Sequence, residues 1–320
     1  MKQLVWTAGL AAVLSVAAGC PEKKIGNQLA APVAPASVDR AMGNLPLHRA
    51  ARVGDVAKLE ELLAQNEKLD LEAQNESGQT ALHFAAGYGH VEATSLLLDS
   101  GAKVDARTYV IKSPDGSDRG GLTPLHWTCW LGQAETAAVL ITHKADVNAR
   151  DASGYTPLLW TLEKQNLEVL RVLLTHGAEP NAPDPHGFAP LHHVAAAGKL
   201  DAVQLLLDNG AKPNLASRDQ GLTPLHLATN GGHVGVIEAL LTKGADPNVR
   251  TKVFATPLHI AVGSHRRDIA KLLLAHGANA NATDIAGSTP LATAVRTKDW
   301  DLARLLRENG AKMPETTEEP

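Results

Sequence analysis

A four-residue phrase returns along most of this chain, and its spacing constrains the fold more than any other feature. It reads Leu45-Pro46-Leu47-His48, Thr80-Ala81-Leu82-His83, Thr123-Pro124-Leu125-His126 and Thr156-Pro157-Leu158-Leu159. It continues as Ala189-Pro190-Leu191-His192, Thr223-Pro224-Leu225-His226, Thr256-Pro257-Leu258-His259 and Thr289-Pro290-Leu291-Ala292. The intervals are 35, 43, 33, 33, 34, 33 and 33 residues. A segment that short cannot bury an apolar face alone, so the units must stack and draw their core from one another. The 320 residues, which by length alone suggest two globular domains, are therefore read as one array.

Each phrase predicts a helix start, because Thr is a good N-cap and Pro is favoured at the first helical position, where no backbone donor is needed. Small residues follow, as in Ala85-Ala86 and Ala228-Thr229, and a glycine such as Gly89 or Gly232 closes the helix. A second helix is marked by apolar residues at helical spacing, as in Val203, Leu205, Leu206 and Leu207, and it ends at Gly210. Turns such as Asp151 to Gly154 and Asp284 to Gly287 return the chain to the next cap.

A TPLH phrase at a 33-residue period resembles the ankyrin repeat, over about 270 of the 320 residues. The resemblance implies an all-α fold: a solenoid of about eight helix-turn-helix units with β-hairpin fingers, spanning 44–312. Polar outer faces are expected at its two ends, from Arg49, Arg52, Lys58 and Glu60 in the first unit and Arg296, Lys298, Asp299, Asp301, Arg304 and Arg307 in the last.

The N-terminus carries a separate signal. Lys2 precedes an apolar stretch at 4–18, short of the ~20 residues a membrane-crossing helix needs, so residues 1–19 read as a secretory signal peptide. Its end, Val16-Ala17-Ala18-Gly19-Cys20, resembles the lipobox of bacterial lipoproteins, although Ala17 stands where that family usually has Leu. The resemblance implies acylation of Cys20 and a lipid anchor in a bacterial cell envelope, facing the periplasm or the exterior. The alternative is ordinary cleavage after Ala17 or Ala18. Residues 20–43, rich in Ala and Pro, read as a flexible tether, and 313–320 as an acidic disordered tail.

The residues that carry chemistry elsewhere have structural readings here. A net charge of −4 and a pI near 6.4 supply no broad basic field, so no nucleic-acid partner is expected. Six of the fourteen histidines occupy the phrase itself, where the resemblance implies a bridge between units; His90, His143, His176, His233, His265 and His276 sit at or beside helix ends. His186 and His193 fall outside the pattern, with no ligand spacing around them. Cys129 takes a small core position. Asp146, Asn148, Asp151 and Asn181 recur with the fingers as turn formers. No catalytic residue, metal site or cofactor is predicted, and the chain reads as a non-enzyme.

The partner expected is a protein, held on the concave face and fingers of repeats two to five. Aromatic residues are 3% of the chain, yet Tyr88, Trp130, Tyr155 and Phe188 fall at variable positions in consecutive units, with Leu131 beside Trp130. Phe84, Trp127 and Trp160 are expected to point inward. The 43-residue interval admits a ten-residue insertion at 108–117, after which Asp118 resumes the pattern. It reads as a hairpin arm, with Tyr109-Val110-Ile111 in β-favouring residues, Tyr109 and Ile111 as its candidate contacts, and Pro114-Asp115-Gly116 as its turn. The seventh finger, Thr251 to Ala255, lacks the usual Asp and Gly; it is expected to be looser, or else to form a basic-apolar contact point with Arg250. A second functional reading is a periplasmic accessory protein that binds a small ligand or metal in support of an oxidative-stress enzyme.

Overall fold

The computed structural model describes residues 45–65, 69–112, 116–164 and 166–313. The signal peptide, the tether with Cys20, the arm's Pro114 and Asp115, and the tail beyond Met313 lie outside them. Two compact units divide between Pro185 and His186. In the first, helix pairs α1 (Pro46–Val53) and α2 (Val56–Gln65), α3 (Ala81–Gly87) and α4 (Val91–Asp99), α5 (Pro124–Leu131) and α6 (Ala134–Thr142), and α7 (Pro157–Lys164) and α8 (Leu167–Thr175) make four repeats. In the second, the pairs are α9 (Pro190–Ala196) and α10 (Leu200–Asp208), α11 (Pro224–Gly231) and α12 (Val234–Thr242), α13 (Pro257–Gly263) and α14 (Arg267–Ala275), and α15 (Pro290–Arg296) and α16 (Trp300–Glu308). The expected all-α class holds. Strand is confined, among the described residues, to a short hairpin, β1 (Val110–Lys112) and β2 (Asp118–Gly120).

The phrase works through its histidine. In the second repeat the Thr80 backbone N–H donates to Nδ1 of His83 at 3.2 Å, and the opposite ring nitrogen, Nε2, donates 3.0 Å to the carbonyl of Leu122 in the third repeat. One nitrogen must accept and the other must donate, so the ring is neutral and its tautomer is fixed. The same bridge runs from His126 to Tyr155 O, His192 to Leu222 O, His226 to Ala255 O and His259 to Ser288 O. In the first repeat His48 Nε2 reaches Gln79 O at 2.9 Å. Each of these rings is buried, and those of the first unit lie edge-on to the inward aromatic of the next repeat: His48 on Phe84, His83 on Trp127, His126 on Trp160. Those three inward aromatics are 0–4% exposed, as expected.

Further ties cross between repeats. Asn148 Nδ2 donates to Gly177 O while its Oδ1 accepts from Glu179 N, and Asn214, Asn248 and Asn281 repeat the clip in the second unit. At the loop ends His90 donates to Arg52 O and His233 to Ala196 O. Cys129 is fully buried in the small-residue seam, and burial pushes its thiol pKa up, which suits a core residue rather than a nucleophile.

The fingers close by one rule. A residue at the finger's start donates its N–H to the last finger residue's carbonyl, and its side chain accepts that residue's N–H. Asp151 does this for Tyr155, and Asp284 for Ser288. In the third finger the closing residue is Thr108, whose Oγ1 accepts from Leu122 N at 3.0 Å. Asp118 instead lies in β2, 3.6 Å from the Lys112 ammonium. The insertion therefore begins one residue later than the sequence suggests, because a hydroxyl does the work of the carboxylate. The seventh finger, expected to be looser, closes in the same way: Thr251 N donates to Ala255 O, and Ala255 N donates to Thr251 Oγ1.

This exchange isolates one hydrogen bond. Trp160 Nε1 donates to Asp151 Oδ2 at 3.0 Å, whereas Trp127, equally buried, has no acceptor for its Nε1 among the described residues. Both rings lose the same volume on replacement by Phe. Trp160→Phe is therefore expected to cost about 2 kcal/mol more than Trp127→Phe, since it alone strips a partner from a buried carboxylate. Urea denaturation of the two variants checks this, and equal losses would contradict it.

Candidate functional site

The side chains proposed from sequence divide between the two units. In the first, Tyr88 follows α3 and is half-buried, its ring stacked parallel on Phe84 at 6.5 Å. Trp130 and Leu131 end α5, both half-buried. The Lys164 ammonium, one repeat further on, stands 5.4 Å from the centre of the Trp130 ring, a cation-π arrangement that fixes the indole at the end of the helix. Leu131 leans toward α3, where a β-carbon on Gly87 would lie 3.3 Å from its Cδ1.

The inserted arm is the most exposed of these features. β1 pairs antiparallel with β2 in the register Val110 with Gly120, Ile111 with Arg119 and Lys112 with Asp118. Its base is held from both sides. Tyr109 N donates 3.2 Å to Ser77 O of the second finger, and Ala152 N of the fourth finger donates 2.9 Å to Gly120 O. Ser153 Oγ adds a bond to Asp118 O, and Arg107 spans Gly121 O and Arg150 O. On this fixed base Tyr109, Val110 and Ile111 are 48%, 56% and 63% exposed. Three consecutive apolar side chains thus face water on a braced arm, outside the core.

Tyr155 is a correction. It was expected at the surface, yet it is 3% exposed. Its carbonyl receives His126 Nε2, and its N–H donates to Asp151 Oδ1, which draws the ring beneath the finger. The residue before the cap serves as a bridge acceptor wherever the preceding phrase ends in His, and Gln79 and Leu122 are buried there for the same reason. Around Tyr155 burial raises the Asp151 carboxyl to about 6. The Tyr155 hydroxyl is pushed upward by burial and by the nearby charges of Asp184 and Asp151.

Phe188 lies in the second unit, half-buried and edge-on to His192 and His193 at 5.6 and 6.2 Å. The structure thus gathers Tyr88, Trp130, Leu131, Tyr109 and Ile111 within one unit, buries Tyr155, and leaves Phe188 to the other unit. Sequence reasoning placed Val110 in the arm without counting it among the contact residues, and it missed the role of Lys164 beside Trp130. The latter shows only when the fourth repeat is laid against the third. Among the described residues no group of three or more His, Cys, Asp or Glu is placed to hold a metal ion, and no helix is long and apolar enough to cross a membrane.

Comparison with known proteins agrees with this architecture. A family model described as ankyrin repeats (3 copies) matches residues 14–108, 109–184, 182–251 and 250–317. Over 102 residues, 32% of the chain, it is 33% identical to the rice (Oryza sativa subsp. japonica) "Probable E3 ubiquitin-protein ligase XBOS32", covering 18% of that protein. Over 109 residues, 33% of the chain, it is 33% identical to the Saccharomyces cerevisiae "Probable 26S proteasome regulatory subunit p28", covering 44% of it. Over 118 residues, 36% of the chain, it is 36% identical to the B-cell lymphoma 3 protein homolog of Mus musculus, covering 24%. The chain spans less than half the length of each.

Proposed function

Because the chain belongs to the ankyrin-repeat family, we propose that it serves as a non-catalytic scaffold tethered to a bacterial envelope membrane, gripping a protein partner mainly through its second and third repeats. A protein-interaction scaffold is what the repeats imply. The specific surface is the inference. One observation carries it: the run Tyr109, Val110 and Ile111 stands exposed on an arm hydrogen-bonded to the fingers on either side. A loose insertion would lose binding energy in ordering itself, whereas a braced one presents its apolar groups already placed. Trp130, Leu131 and Tyr88 extend the surface onto the helix ends of the same unit.

The tether is proposed from Cys20 and the small residues before it, with acyl chains such as palmitate supplying the anchor and residues 20–43 the reach. Two arms test the reading. Affinity capture from envelope extract with the mature chain is expected to retain a protein that Ile111→Asp and Trp130→Ala each lose by tenfold or more, the effect of truncating a buried anchor. Capture unchanged by both substitutions would remove the surface. Cys20→Ala is expected to move the chain from the membrane pellet to the soluble fraction; an unchanged distribution would remove the anchor.

A further inference from the structure

The second unit carries a feature that neither the core nor the arm explains. The residue before the last of every finger lies in the left-handed region, and in six fingers it is glycine, as at Gly154 (φ 89°), Gly221 (φ 68°) and Gly287 (φ 77°). In the seventh it is Phe254, at φ 57°. A bulky side chain is disfavoured in that conformation, and no burial offsets the cost here, because Phe254 is 47% exposed. Strain kept for an exposed ring points to what the ring meets.

Its surroundings define the ligand. In the third and fourth fingers the equivalent arginines, Arg107 and Arg150, are committed to finger carbonyls: Arg107 to Gly121 O and Arg150 O, and Arg150 to Gly154 O and Pro183 O. Arg250 makes no such bond among the described residues. Its guanidinium lies 5.9 Å from the centre of the Phe254 ring, leaving its N–H edges to solvent. Lys252 on the same finger and Arg218 on the sixth are also exposed, with no ion pair among the described residues. The three fingers adjoin, since Lys252 N donates to Gln220 O at 2.9 Å and Ile285 N to Val253 O at 3.0 Å. Ile285, 64% exposed, continues the apolar strip onto the eighth finger. Against these cations stands Asp219, exposed beside Arg218. Asp284 is turned inward, accepting from Ala286 and Ser288 N–H groups.

We propose that the seventh finger, with Arg218 and Ile285 on its neighbours, is a docking point for an acidic, extended peptide segment of a partner protein. Carboxylates meet the free guanidinium and ammonium groups, and apolar side chains between them meet Phe254 and Ile285. Nucleic acid is the poorer match, because a phosphate backbone calls for a broad basic field and this chain carries −4 overall. The seventh finger belongs to the second unit and the arm to the first, and the proposal does not rest on the arm.

The test uses the full chain and a fluorescein-labelled peptide of about twelve residues, Glu alternating with Leu or Ser, beside the same peptide with Lys for Glu. Fluorescence anisotropy is expected to show binding of the Glu peptide alone, weakening as salt rises. Phe254→Gly is expected to lower that affinity tenfold or more while raising the thermal midpoint by roughly 2–4 °C, since glycine relieves the left-handed strain. A ring with only a structural role would lower the midpoint. Arg250→Gln is expected to weaken binding with the midpoint unchanged, and Ile111→Asp to leave binding intact, which separates this site from the arm. Equal binding of both peptides, unchanged affinity in Phe254→Gly, or tighter binding of single-stranded RNA or anionic phospholipid vesicles would overturn the proposal.

Discussion

Acidification from pH 7 to pH 5 is expected to unfold this chain by charging groups in its core. Five of the bridging histidines must be neutral, because His83, His126, His192, His226 and His259 each accept a backbone N–H on Nδ1 and donate from Nε2 to a carbonyl of the next repeat, whereas His48 bridges through Nε2 alone. Burial lowers His83, His192 and His226 to about 4 and His126 to about 3; His48 and His259 are lowered by the same cause. In the unfolded chain these rings take up protons near pH 6.5, whereas in the fold they do so only at far lower pH. Their stabilising contribution is therefore complete above pH 6.5 and lost as pH falls. Four such groups remove about 7 kcal/mol between pH 7 and pH 5, an amount comparable to the whole stability of many domains. Asp151 acts in the opposite sense: raised to about 6, it favours the fold by about 1 kcal/mol as it protonates, too little to offset the histidines. The far-UV helical signal is expected to collapse between pH 6 and pH 4.5. His226→Leu, copying the Leu159 already buried in the fourth repeat, is expected to flatten the pH dependence of the urea midpoint. A helical signal that persists to pH 4 would show that the bridges do not govern stability.

The repeat was legible because its period is a matter of burial. A phrase that starts a helix every 33 residues leaves few ways to cover the apolar faces, and the inward aromatics and bridging histidines follow from where the phrase places them. The misreadings share a cause: letters were matched where the fold matches hydrogen bonds. Asp118 looked like the finger acid, yet Thr108 holds that place because closing a finger needs only one short side-chain acceptor, and Ser217 and Thr251 supply it elsewhere. Tyr155 looked like an exposed aromatic, but its backbone carbonyl is a bridge acceptor and its side chain goes beneath the finger with it. The Lys164–Trp130 contact joins residues one period apart and is invisible along the chain. The seventh finger lacks its glycine and was expected to be looser, yet it closes fully, and only the φ of Phe254 shows an exposed ring held in the left-handed region.

The position of the arm rests on two glycines, and replacing either is expected to cost more than its local geometry suggests. Tyr109 is pinched between Gly78 of the second finger and Gly120 of β2. A β-carbon on Gly78 would collide with the backbone nitrogen of Tyr109 and sit 2.8 Å from its ring Cγ, while one on Gly120 would collide with the Tyr109 carbonyl oxygen. Both glycines also have positive φ, 79° and 98°. Gly287 supplies the comparison: its φ is 77°, but nothing lies within 4 Å of where its β-carbon would stand. Gly287→Ala is therefore expected to cost about 1–2 kcal/mol, the left-handed penalty alone. Gly78→Ala adds a clash with backbone that cannot move without breaking the Tyr109 to Ser77 bond, for a total of about 2–4 kcal/mol. Gly120→Ala shifts the arm itself, so its main effect is expected on partner capture, a loss of tenfold or more with the helices intact. Urea midpoints for the first two and capture by the third measure each part. Equal costs for Gly78→Ala and Gly287→Ala would mean that the arm is not seated on the second finger, and the braced surface that binding requires would go with it.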